Sequence, residues 1–230
     1  MRLALFGATG GTGAQLLKQA LAAGHQVTAV VRDPARVTRP PGVAPGSTGA
    51  SNGPDGPDGP DGLTLVRGDV LDPGAWTEAL AGQDAVLSCL GSIDRRHPTT
   101  VYSQGTRNIV GAMRAAGVGR LLCLSSAGLE IAPGTPLPQR LVTRLVVQRL
   151  YRHGYADMAR MEALVRESDL AWTIVRPPML TDGPLGGRYR TAVNGPLADG
   201  RSLSRADLAD YLLTRVGDRS TWRAVVEISA

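Results

Sequence analysis

The 230-residue chain is almost devoid of lysine: Lys18 is the only one, so nearly all of the positive charge is guanidinium. Chemistry that needs a lysine ammonium elsewhere along the chain is excluded. Cysteine is scarce too, with Cys89 and Cys123 alone, both inside apolar runs where a reduced thiol packs as a small hydrophobe. We therefore expect no disulfide and a reducing, cytoplasmic setting. Aromatic residues make up only 4% of the chain, and the arginines are scattered and not interleaved with them. The formal net charge of +5 is accordingly read as a solvated surface and not as a nucleic-acid footprint. No apolar run approaches the length of a membrane span, and no charged and apolar leader opens the chain, so no membrane partner is expected. The three histidines, His25, His97 and His153, are not spaced as convergent ligands, and no metal is expected.

What is present begins at the first residues. The apolar run 3–6 reads as a buried strand and leads into Gly7-Ala8-Thr9-Gly10-Gly11-Thr12-Gly13. Glycines at three-residue spacing let the chain turn tightly, approach a pyrophosphate closely and pack the next helix on the sheet. A helix beginning near Thr12 offers unpaired N–H groups and the positive end of its dipole to phosphate. With a second strand at 26–31 this is a complete βαβ unit, the context in which the glycine spacing signifies a dinucleotide. No lysine follows the glycines as an ATPase P-loop requires.

Residues 34–62 break the periodicity and end in a tandem Gly-Pro-Asp repeat over 53–62, read as a flexible insertion, disordered or turn-rich, with nothing apolar to bury. Alternation then resumes. Strands are expected at 63–66, 85–90, 121–124 and 171–175, and helices at 73–80, 101–116, 140–152 and 157–167. The expected fold is α/β: a Rossmann-like doubly wound parallel sheet in a single domain, 1–230, with small substrate-side elements within about 177–204. Ligands in such sheets lie over the carboxyl ends of the strands.

At those ends stand the candidate binding residues. Arg32 closes the second strand 19 residues beyond Gly13, where an acidic residue would grip an NAD ribose. A guanidinium there, with Arg36 four residues on, suits bidentate pairing with a 2′-phosphate, so NADP(H) is expected. The competing reading leaves Arg32 as a surface charge and gives the ribose to Asp33. Asp69 and Val70 after the third strand are placed beside the adenine, Leu90 and Gly91 after the fourth along the cofactor, and Ser125 and Ser126 after the fifth. The full cofactor set is Gly7, Thr9, Gly10, Gly11, Thr12, Gly13, Arg32, Arg36, Asp69, Val70, Leu90, Gly91, Ser125 and Pro177.

The glycine turn, Val31-Arg32-Asp33, Gly68-Asp69-Val70-Leu71, Gly105-Thr106-Arg107-Asn108-Ile109-Val110, Arg160-Met161 and Pro177-Pro178 together resemble the atypical short-chain dehydrogenase/reductases with an NAD(P)H-binding domain. Within them the likeness is to the flavin and biliverdin reductases. The resemblance implies a monomeric reductase passing hydride from NADPH to a flavin or related planar acceptor, and it places Ser126 at the family's active-site serine. The usual Tyr-x-x-x-Lys relay, in which an ammonium lowers the tyrosine pKa, is missing: Tyr155 is followed four residues on by Ala159. Met158 stands where related proteins carry Lys or His, and Met179 stands where the flavin reductase carries His after Pro-Pro. The candidate acceptor-side residues are Ser126, Tyr155 and Met179. Two readings follow, a reductase of a flavin, quinone or tetrapyrrole-like ring that needs no tuned acid, or an NADP(H)-binding sensor with little chemistry. A nucleotide-sugar epimerase is disfavoured by the missing relay and by length.

Overall fold

A computed structural model describes residues 1–38, 62–74, 76–92, 94, 97–130, 137, 141, 145, 148–197 and 200–230. Most of the insertion and about half of the helix expected at 140–152 lie outside these residues; Gln148–Leu150 is helical.

The chain runs β1 (Arg2–Phe6), α1 (Gly11–Ala22), β2 (Gln26–Val31), β3 (Leu63–Arg67), β4 (Ala85–Ser88), α2 (Ser103–Ala116) and β5 (Arg120–Leu124). It continues through α3 (Arg152–Arg166), β6 (Ala171–Arg176), β7 (Met179–Thr181), β8 (Arg190–Val193), β9 (Ser202–Ser204), α4 (Arg205–Arg215) and β10 (Ala224–Ser229). Eight strands form one sheet in the order β3-β2-β1-β4-β5-β6-β10-β8, and β7 pairs with β9 in a small annex. All neighbours in the large sheet are parallel except β8, which runs antiparallel on β10. The doubly wound sheet inferred from alternating patterns is thus present.

Both faces of the sheet are covered, which is why its strands read as continuous apolar runs. On β1, Leu3 and Leu5 face a core completed by Leu16, Leu17 and Ala20 of α1 and Leu208, Ala209 and Leu212 of α4. The alternate residues Ala4 and Phe6 face the opposite core, with Ile109 and Met113 of α2 and Met161 and Val165 of α3. Fully burying one such Leu or Ile side chain contributes about 1.5–3 kcal/mol, so either helix pair is held chiefly by apolar area. The chain order reverses between β1 and β4, and this switch point opens a crevice at the carboxyl edge.

Several boundaries differ from the sequence reading. The helix expected at 73–80 is only a 3-10 turn, Glu78–Leu80. Trp76, fully buried, donates its indole N–H to the carbonyls of Asp69 and Asp72 at 2.9 Å each, which folds the segment back on itself. The helix expected to start at 157 starts five residues earlier, and the strand expected to end at 90 ends at Ser88. The segment after β2 opens with a 3-10 turn, Pro34–Arg36, capped by Asp33. Beyond 204 the structure adds α4 and β10, and β10 extends the parallel sheet.

Candidate functional site

The crevice is built on backbone. Gly7 holds φ +81°, and a Cβ there would meet the Cys89 carbonyl oxygen at 2.3 Å. A Cβ on Gly13 would meet the Gly7 carbonyl oxygen at 2.1 Å. The β1–α1 turn and the chain leaving β4 therefore touch main chain to main chain, and the first turn of α1 is drawn onto the end of β1. Thr9, Gly10 and Gly11 form the exposed crest of the turn. Helix α1 starts behind Gly10 with no side-chain cap and no acidic residue in its first turn, so its leading N–H groups and dipole are open to an anion. A cradle of side-chain-free backbone at a helix start fits a dinucleotide diphosphate. Thr12 is mostly buried on the inner side of the same turn.

At the next strand end, Arg32 and Arg36 are exposed and make no ion pair with any described residue. Asp33, the competing ribose ligand, accepts the Ala35 N–H at 3.1 Å as cap of the following turn. Asp69 uses its carboxylate in the same way, accepting the Leu71 N–H at 2.9 Å. Val70 is buried, and its carbonyl accepts from the Asn108 side chain at 2.8 Å, tying the β3 end to α2. Leu90 is half-buried and Gly91 exposed past β4, and a Cβ on Gly105 of α2 would press on both Val70 and Leu90.

The β5 and β6 ends meet in a second cluster. The Ala127 N–H donates to the Pro177 carbonyl at 3.0 Å, and Ser126 accepts the Gly128 N–H at 3.2 Å as cap of the turn Ala127–Leu129. Tyr155 of α3 lies against this turn: a Cβ on Gly128 would meet its hydroxyl oxygen at 2.3 Å. Its ring stacks on Tyr151, with centroids 5.7 Å apart. Ser126 and Tyr155, chosen separately from the sequence, are thus brought to one turn. Met179 stands on the β7 annex with 70% of its surface exposed, while Met158 packs at the margin of the core beside α2. Lys18 lies on the exposed side of α1, so no ammonium accompanies Tyr155.

Behind the turn is a buried ion network that sequence reasoning missed. Ser125 points inward and donates its hydroxyl to Glu162 at 2.7 Å, so its side chain serves the scaffold. Arg176, the last residue of β6, donates to Glu162 through Nε at 2.8 Å and Nη2 at 2.6 Å, and to Glu130 at 2.8 Å. Arg166 adds a further bond to Glu162 at 3.1 Å. Burial alone would raise the Glu162 pKa, but hydrogen bonds from Arg176 and Ser125 and the Arg176 charge outweigh it and hold it below the ordinary value. Glu130 is lowered as well, first by its hydrogen bond from Arg176. Because Glu130 closes the turn that Ser126 opens, this network fixes the β5 and β6 ends and the turn against which Tyr155 packs. The available signal was an arginine ending an otherwise apolar strand just before Pro177-Pro178.

The α3 helix also anchors α2. Asp157, fully buried, accepts the N–H groups of Tyr102 and Ser103 at 2.9 and 3.2 Å together with the Ser103 hydroxyl, and Arg160 pairs with it at 3.0 Å. Among the described residues no group of histidine, cysteine and carboxylate side chains could hold a metal ion, and no helix is long and apolar enough to cross a membrane.

A glycine cradle at the switch point of a doubly wound sheet defines a dinucleotide-binding protein. The chain belongs to the NAD(P)H-binding family, whose model matches residues 7–219. It is 28% identical over 229 residues to an uncharacterized chloroplastic protein of Arabidopsis thaliana, covering 97% of this chain and 75% of that one. It is 31% identical over 170 residues to the 2-alkyl-3-oxoalkanoate reductase of Stenotrophomonas maltophilia, covering 64% of this chain and about half (51%) of that reductase. Among solved structures, a wide-type short-chain dehydrogenase/reductase from Veillonella parvula in complex with NADP superposes with TM-score 0.76 at 18% identity, covering 100% of this chain and 94% of that one. The anaerobillin reductase ChuY of Escherichia coli O157:H7 superposes with TM-score 0.72 at 21% identity, covering 100% and 97%. The NAD(P)H-binding family expected from the sequence is thus shown, and the likeness to short-chain dehydrogenase/reductases holds at the level of fold.

Proposed function

We propose that the protein is an NADPH-dependent reductase that delivers hydride to a flavin or a similar planar conjugated acceptor. The observation that carries the cofactor choice is the pair of exposed guanidinium groups, Arg32 and Arg36, without an ion pair to any described residue, beside an Asp33 whose Oδ1 accepts the Ala35 N–H. A 2′-phosphate finds forked donors there, whereas ribose hydroxyls alone would use neither guanidinium and would share the Asp33 carboxylate with the Ala35 N–H. When bound, NADPH supplies the hydride and the acceptor takes one further proton, leaving NADP⁺ and the reduced acceptor.

The chain's own work is positioning. Gly7 to Gly13 admit the diphosphate, Asp69 and Val70 border the adenine, and Leu90, Gly91 and Pro177 line the path toward the acceptor. Ser126 offers a hydroxyl at the β5 end, and Tyr155 of α3 offers a second where it packs against the same turn. Met179 on the annex gives a soft apolar surface for a flat ring. A conjugated acceptor carries its own electron sink, so its reduction tolerates the missing lysine and can take its proton from water. The family reading also favours a monomer in the cytoplasm with no nucleic-acid partner.

The absent relay favours one rival, a sensor that binds NADP(H) without turnover. Oxidation of NADPH is followed at 340 nm with riboflavin, FMN, biliverdin and quinones. Turnover with one of these supports the reductase; tight binding without turnover selects the sensor. Arg32→Ala is expected to weaken NADPH by about 1–3 kcal/mol, or roughly five- to 150-fold, and to leave NADH nearly unchanged. Equal losses for the two would refute the phosphate assignment.

A further inference from the structure

Arg205, the first residue of α4, lies across the phosphate turn. A Cβ on Gly11 would meet Arg205 Cδ at 2.6 Å and Nε at 2.7 Å, so the guanidinium stem occupies the space that a side chain on Gly11 would take. The placement is built into the fold. Helices α1 and α4 share one face of the sheet, and Gln19 of α1 donates to the Ala206 carbonyl at 2.9 Å. Ser204 caps α4 by accepting the Asp207 N–H at 2.9 Å, and Asp207 in turn accepts the Gly186 and Gly187 N–H groups at 2.8 Å each. The backbone of Arg205 is therefore fixed at both sides. Its side chain is 29% exposed, and its one described partner is Asp182 at 2.6 Å, itself 89% exposed on the chain leaving β7. A guanidinium carries five donors in a fixed fork, so most of them remain available beside the open N–H groups of α1.

We propose that Arg205 is an additional cofactor-binding residue, contacting the diphosphate of the dinucleotide from the α4 side. The inference rests on the reading of Gly7 to Gly13 as the phosphate turn, and it assigns to α4 a role beyond covering the sheet. A diphosphate is common to NADPH and NADH, whereas the 2′-phosphate assigned to Arg32 belongs to NADPH alone. The two arginines are thus separable by binding alone.

The test is calorimetric titration of the full chain with NADPH and with NADH, for the unmodified protein, Arg205→Ala, Arg205→Lys and Arg32→Ala. Arg205→Ala is expected to weaken both dinucleotides equally, by about ten-fold for one charged, partly solvated hydrogen bond. Arg205→Lys keeps the charge and should recover most of that loss, which also answers for any misfolding in the alanine variant. Unchanged affinity in Arg205→Ala, or a loss confined to NADPH, overturns the assignment. Loss of NADPH selectivity on Arg32→Ala tests the 2′-phosphate reading independently, so either assignment can fail while the other stands.

Discussion

Replacing Glu162 by alanine removes the carboxylate that three donors converge on and leaves Arg176 in the interior with Glu130 as its remaining ion partner. The side chains of Glu162 and Arg176 are only 5% and 6% exposed, whereas Glu130 is 70% exposed and cannot screen a buried charge well. Breaking one side of a buried pair costs about 3–5 kcal/mol, and the surviving Glu130 bond sets the expectation near the lower end, about 3 kcal/mol. For a chain of this size that loss lowers the melting temperature by about 6 to 12 °C. The pH dependence has a definite sign. The folded pKa of Glu162 lies below its ordinary 4.5, so its stabilisation is fully present above that value and is lost as pH falls through the lowered one. Glu162→Gln should therefore flatten the acid limb of a melting-temperature profile between neutral pH and pH of about 3. Replacing Glu162 and Arg176 together by leucine and methionine should recover much of the stability, since no charge remains buried. A melting temperature in Glu162→Ala within 2 °C of an exposed control, roughly half a kcal/mol, would refute the reasoning.

Four further outcomes follow from the same geometry. Gly13→Ala forces a Cβ to within 2.1 Å of the Gly7 carbonyl and should cost about 1–3 kcal/mol together with dinucleotide affinity. Gly111→Ala, on α2 with open space around its new Cβ beyond the helix's own backbone, should instead stabilise by about 0.5–1 kcal/mol; melting curves of both variants decide. Burial pushes the Cys89 thiol up to about 12 and raises that of Cys123 as well, so neither should react with an aromatic disulfide reagent at neutral pH until the protein is unfolded. Rapid labelling of the folded protein would contradict this. Tyr155→Phe should leave flavin reduction within about two-fold, because the acceptor needs no protein acid, and a loss of ten-fold or more, typical of a removed general acid, would make the tyrosine a proton donor.

The parallel sheet was legible because each of its central strands is buried on both faces and so appears as an uninterrupted apolar run between glycine-rich turns. The glycine turn was legible for a different reason: only glycine tolerates the Gly7 conformation and the approach of Gly13 to Gly7. The helix expected at 73–80 failed because the Trp76 indole bonds two carbonyls of its own loop, a contact with no periodic trace. Among the site groups, Ser126 and Tyr155 were recognisable one at a time, but their meeting depends on α3 starting at Arg152 and not at 157. Glu162, Arg176 and Arg205 escaped notice because single charged residues in apolar or helical segments read as surface until their partners are known. The Asp33 carboxylate shows the reverse case, a candidate ligand one of whose oxygens also serves as a backbone cap.

Helix α3 carries Tyr155, Asp157 and Glu162, and through them it is pinned to the turn after β5, to the start of α2 and to the end of β6. It works as a spar to which three otherwise separate parts of the crevice wall are bolted, so a ligand that pushes it sideways must disturb all three at once. On the reductase reading proposed above, adaptation to a new acceptor is thereby steered away from this helix and toward the exposed Met179 of the β7 annex, whose exchange alters the surface without moving the frame.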